Sequence, residues 1–233
     1  ASEGHVIPAD APTAAMRVIA PRRPGVEYEV EPGEKVFYIL TNENAKNFKV
    51  MIAPFADPSP RSWTEWLPHR PEVFVEGLLP FKRHLVVQER RDGLRHLRIT
   101  ALDGGATHDV SFPEAAYGVS LGGNAQYDLR TLRFTYSSLV TPNSVYDYAM
   151  DARTRELRKR DEVLGGYDPS RYAVERIFAT ARDGVRVPIS LVYKKDLRRD
   201  GKRPLLLYAY GSYGSTTEPT FNSQRFSLID RDF

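Results

Sequence analysis

The chain contains no cysteine. That excludes a disulfide framework, a thiolate zinc site and a thiol nucleophile, and it fits a cytoplasmic location. No apolar run approaches the roughly 18 residues that a membrane-spanning helix needs, so no membrane partner is expected. Charge of one sign is also missing. The 33 Lys and Arg stand against 30 Asp and Glu, scattered along the chain, for a formal net charge of +3. Such a balance argues against a nucleic-acid partner. The opening residues Ala1-Ser2-Glu3-Gly4-His5 carry neither an initiator Met nor a signal-peptide pattern. At the other end Phe226, Ile229 and Phe233 recur at helical spacing with no Gly, Pro or polar tail after them. An internal piece of a longer polypeptide is therefore expected, with a trimmed complete domain as the alternative.

What is present is ample for a core. In 233 residues, 41% are hydrophobic and 27% charged, enough for one large domain or two small ones. Aromatics at 11% favour strands. Three strand-like apolar runs start at Val36, Leu85 and Leu132, spaced 49 and 47 residues apart. Each is followed by a polar turn (Asn42-Glu43-Asn44, Arg91-Asp92-Gly93, Thr141-Pro142-Asn143) and a second strand at 48–53, 94–101 or 144–150. A first strand precedes each run, at 27–30, 73–76 and 117–121, and a polar edge strand closes each unit, at 63–67, 107–112 and 156–160.

Four short antiparallel strands per unit, repeated about three times, suit radially stacked propeller blades. Three blades close no ring, since propellers have about 4 to 8, so further blades upstream are expected. A single β-sandwich of about twelve strands is the alternative. The fold expected is mainly β: a partial β-propeller of about three four-stranded blades over residues 1–162, then the beginning of an α/β domain over 163–233.

The second part rests on a change of pattern. Gly165-Gly166-Tyr167-Asp168-Pro169 reads as a linker. Residues 173–179 and 185–193 read as strands of a hairpin turning at Asp183-Gly184. The run Leu205-Leu206-Leu207-Tyr208-Ala209-Tyr210 is apolar throughout, as in a strand covered on both faces, and it ends in Gly211-Ser212-Tyr213-Gly214. A helix follows, with Asn222 or Ser223 as N-cap.

The segments RIFATARDGVRVPISLVYKK and RPLLLYAYGSYG, between Tyr172 and Gly214, resemble the entry into the hydrolase domain of the prolyl oligopeptidase family of serine peptidases. Gly166-Tyr167-Asp168-Pro169 and the stretch from Arg70 to Gly77 are most similar to its oligopeptidase B branch, whose members cleave short peptides after Arg or Lys. The resemblance implies a seven-bladed propeller capping an α/β-hydrolase and admitting only short peptides. It implies a Ser-Asp-His triad lying beyond Phe233, so that these residues alone hydrolyse nothing. No metal or cofactor is implied. The missing remainder of the polypeptide would be a partner.

Within the chain the resemblance assigns one catalytic residue. Tyr210, the second tyrosine of Tyr208-Ala209-Tyr210-Gly211, matches the family's phenolic donor to the oxyanion. Tyr213 matches an aromatic lining the substrate pocket. Without the resemblance, Tyr210 reads as a core aromatic at a strand end. Gly211 and Gly214 are expected to let the following loop bend.

Other candidates read as structural. Gly118-Val119-Ser120-Leu121-Gly122 has the G-x-S-x-G form of a nucleophile elbow, but that motif needs a strand-to-helix turn and a strand follows here. His84, His96 and His108 are evenly spaced, yet a hairpin at Asp92-Gly93 would set His84 far along the ladder from His96. Trp63 and Trp66 fall on opposite faces of a strand and suit packing between blades. Arg153, Arg155, Arg158, Lys159 and Arg160 suit a charged edge strand. The alternative function is a non-enzymatic propeller module that binds a protein partner.

Overall fold

A computed structural model describes residues 1–233. Its strands form three four-stranded sheets and two two-stranded ones. The runs starting at Val36, Leu85 and Leu132 lie in three different sheets, as the repeat predicts. The residues divide into two compact units.

The first unit comprises Ala1–Arg91, His96–Val110 and Gln126–Arg130. Strands β1 (His5–Val6) and β2 (Arg17–Val18) pair with each other. Then β3 (Tyr28–Pro32), β4 (Val36–Thr41), β5 (Lys49–Pro54) and β6 (Thr64–Leu67) form a meander in chain order. A second meander follows in β7 (Val73–Pro80), β8 (His84–Arg91), β9 (Leu94–Ala101) and β10 (Thr107–Asp109).

Strand β4 explains why its run is apolar without alternation. Phe37 and Ile39 pack on Ile19, Tyr28 and Ala53. On the opposite face Tyr38 and Leu40 pack on Val75, Leu85 and Val87 of the second sheet. Ile39 and Leu85 are fully buried, each contributing about 1.5–3 kcal/mol. The tryptophans divide in the same way. Trp63 meets Tyr28 edge-on at 5.8 Å between centroids, and Trp66 meets Tyr38 at 6.0 Å. The first belongs to one face of the sheet and the second to the layer between the two sheets.

The second unit comprises Asp92–Arg95, Ser111–Ala125 and Thr131–Phe233. Its sheet runs β11 (Tyr117–Leu121), β12 (Thr131–Ser138), β13 (Ser144–Ala149) and β14 (Thr154–Arg160). Phe112 stacks on Tyr136 at 5.0 Å and meets Phe134 edge-on. Every residue of β14 is exposed, and its charges blunt an edge that would otherwise invite pairing.

Beyond this sheet, β15 (Tyr172–Thr180) and β16 (Arg186–Lys194) form a long hairpin. A single helical turn, α1 (Phe226–Ile229), stands near the end. The Asn222 side chain accepts the Gln224 N–H at 2.9 Å, capping the 3-10 turn that leads into it.

Two expectations are corrected here. The helix does not run to Phe233. Asp232 turns left-handed at φ 66°, while the Asp232 and Phe233 N–H groups return to Ile229 O and Leu228 O, a Schellman-type stop. Nor is Leu205–Tyr210 a strand. It pairs with no other strand, and Leu205, Leu206, Leu207 and Tyr208 are 60–75% exposed. A run apolar on both faces becomes a strand through neighbours that cover it, and these residues supply none. Residues 163–233 accordingly form no parallel sheet.

Candidate functional site

The segment holding Tyr210 and Tyr213 is tethered at both ends within the second unit. Upstream it leaves the β15–β16 hairpin. Downstream, Tyr167, Tyr172, Phe221 and Phe226 form a ring cluster with centroids 4.6–5.7 Å apart. Val140 and Ile229 complete its core. The polar tips of these rings are satisfied. Tyr167 donates to Val140 O at 2.7 Å, and Tyr172 donates to Asp230 Oδ1 at 2.8 Å. Burial raises the pKa of both phenols, and for Tyr172 the neighbouring Asp230 carboxylate adds to it.

A polar node behind this cluster fixes the β12–β13 turn. Glu114 accepts from Tyr136, Ser138 and Thr141. Burial, and then hydrogen bonding to Glu114, raises the Tyr136 pKa. Ser137 Oγ, next to that turn, accepts the Phe221 N–H at 3.0 Å. The stretch after Tyr213 is thus held to the sheet by main-chain as well as ring contacts.

Tyr210 itself is 53% exposed. Its backbone is bracketed by Thr217, whose Oγ1 accepts the Tyr210 N–H at 3.2 Å and donates to Tyr210 O at 3.4 Å. Tyr213 is 98% exposed and stands in a single 3-10 turn, Ser212–Gly214. The bend is made at Gly214, as expected, but not at Gly211. Gly211 has an ordinary φ of −148°, whereas Tyr213 and Gly214 take the left-handed values 58° and 71°. Glycine is needed at 214, and Tyr213 bears the strain of a non-glycine residue in that region.

Ser120 is not an elbow nucleophile. Its strand β11 pairs antiparallel with β12, Ser120 facing Thr135, and no helix follows. Its exposed Oγ has a 3.5 Å contact with Arg95 Nη1. Packing accounts for the motif's glycines. A Cβ on Gly118 would meet Thr220 Cγ2 at 2.8 Å, and one on Gly122 would meet the Arg133 carbonyl at 3.2 Å. The three histidines stand on successive strands: His84 buried on β8, His96 on β9, and His108 on β10 opposite Ile99.

Sequence reasoning missed Thr217, Arg95 and Glu218. Arg95 Nη1 donates to Val119 O at 3.1 Å, and Nη2 lies 3.8 Å from Glu218 Oε1. No motif or spacing marks a contact between residues so far apart in the chain.

Comparison with known proteins converges on one family. Residues 1–161 match the family described as prolyl oligopeptidase, N-terminal beta-propeller domain. Dipeptidyl aminopeptidase BI of Pseudoxanthomonas mexicana is 40% identical over 233 residues, 99% of this chain and 32% of that protein. Protease 2 of Moraxella lacunata is 33% identical over 230 residues, 99% of this chain and 33% of that protein. Oligopeptidase B from Leishmania major superposes with a TM-score of 0.88 at 36% identity, covering 99% of this chain and 34% of that one. The chain thus spans about a third of the length of the relatives it matches. With its three four-stranded antiparallel sheets and this match over residues 1–161, the chain belongs to the prolyl oligopeptidase family of peptidases.

Proposed function

We propose that the chain works as part of a serine oligopeptidase that hydrolyses short peptides after Arg or Lys. In this reading residues 1–162 contribute propeller blades that filter substrates by size, and residues 163–233 open the α/β-hydrolase domain. One observation carries it. The similarity to oligopeptidase B extends through 99% of the chain, so it includes the segment after residue 162. The exposed apolar run Leu205–Tyr210 supports the same reading, because it has the composition of a covered hydrolase strand.

Tyr210 would then offer its phenol O–H to the oxyanion of the tetrahedral intermediate. It does so beside a backbone N–H next to a serine nucleophile supplied by the rest of the polypeptide. Its exposed side chain is in keeping with a donor whose acceptor is the substrate. Tyr213, fully presented to solvent, would line the substrate pocket.

The name of the relative at 40% identity favours a second reading, release of dipeptides from a free N-terminus. Steady-state hydrolysis by the full-length protein separates the two. An internal Arg- or Lys-amide with a blocked N-terminus should be cleaved under the endopeptidase reading. Cleavage only of substrates with a free amine two residues from the scissile bond supports the dipeptidyl reading. Absence of both would favour a propeller that only binds a protein partner.

A further inference from the structure

We propose that Arg95 and Glu218 position Tyr210 from the propeller side, a role that rests on the oxyanion reading above. Arg95 stands two residues after Gly93, whose turn abuts β16. Gly93 has φ +76°, and a Cβ there would meet Pro188 Cγ at 3.1 Å, so the turn is seated closely on the hairpin. From that seat the Arg95 guanidinium serves two groups at once. Nη1 donates to Val119 O on β11 at 3.1 Å, and Nη2 faces Glu218 Oε1 at 3.8 Å. Both side chains are largely withdrawn from solvent, at 21% and 25% exposure.

Glu218 adjoins Thr217, the residue that brackets the Tyr210 N–H and C=O. Two residues on, Thr220 sits against Gly118 of β11. The ion pair therefore pins the short stretch from which Thr217 reaches Tyr210. It touches no substrate. Its effect is to hold the Tyr210 backbone, and with it the phenol, in one place. A lysine at 95 would keep the charge but lose the planar fork that reaches Val119 and Glu218 together.

The test uses the full-length enzyme with an Arg-amide substrate. Arg95→Met and Glu218→Gln should each lower kcat by about 2–5-fold, the scale of a partly exposed ion pair, with KM little changed. Arg95→Lys should recover only part of the loss. The double variant should be no worse than the poorer single, because both remove one interaction. Raising salt from about 0.05 to about 0.5 M should bring the wild-type kcat towards the variants' and leave theirs flat.

Unchanged kcat in both singles, or losses that add in the double variant, would overturn the proposal, provided Tyr210→Phe itself lowers kcat. If Tyr210→Phe leaves kcat intact, the oxyanion reading has failed instead. Amide exchange at residues 217–221 then reports on the pinning alone. Faster exchange in both singles supports the Arg95–Glu218 contact as its source, and unchanged exchange contradicts it.

Discussion

Gly118 and Thr220 are in contact across the second unit so closely that a Cβ on Gly118 would lie 2.8 Å from the Thr220 methyl. The glycine of an elbow-like motif is thus required by a neighbour's bulk. Gly118→Ala should destabilise the protein by about 1–3 kcal/mol, the usual cost of overpacking. Adding Thr220→Ser, which removes that methyl, should restore most of the loss. Ser120→Ala, at an exposed position, should stay within about 0.5 kcal/mol of wild type. Urea unfolding of the four proteins checks this, and turnover abolished by Ser120→Ala would reinstate Ser120 as a nucleophile.

Glu89 on β8 is fully buried and is bonded by Arg70, with Arg91 Nε 3.7 Å from its second oxygen. Removing one side of such a pair strands a charge. Glu89→Ala should cost about 3–5 kcal/mol, whereas Arg70→Met combined with Glu89→Leu should cost much less. Denaturant midpoints give both values, and equal losses would mean that the pair is not coupled.

Tyr136 and Tyr167 both have pKa values raised by burial, so each binds its proton more tightly folded than unfolded. For such a group the stabilisation is complete below the unfolded value, about 10, and is lost as pH rises from there through the folded value. Stability should therefore hold to about pH 10 and then fall steeply. Tyr167→Phe should flatten that fall. It should also cost about 1–3 kcal/mol at neutral pH, because Val140 O loses its donor. An unfolding series from pH 8 to 12 reads both effects.

The blades were legible because their signal is local. Val36–Thr41 is apolar on both faces, Asp92-Gly93 is a turn dipeptide, and β14 alternates charges along an edge. The turn appears with both residues left-handed, φ 49° and 76°, as a two-residue hairpin demands. Leu205–Tyr210 misled because an apolar run specifies burial and not the partner that provides it. The pairing of β1 with β2 left no trace because two-residue strands have no period to read. The Arg95–Glu218 contact was hidden for a different reason: one side chain comes from the start of β9 and the other from an irregular stretch, and only the tertiary fold brings them together.

The central claim turns on one hydroxyl. Steady-state kinetics of the full-length Tyr210→Phe enzyme on an Arg-amide substrate tests it most directly, since the change keeps the ring and removes only the donor. The oxyanion role predicts kcat lower by about 10²–10³, or roughly 2.7–4 kcal/mol of transition-state stabilisation, with KM and thermal stability little changed. An unchanged kcat would contradict it and leave Tyr210 an exposed aromatic without a part in the chemistry.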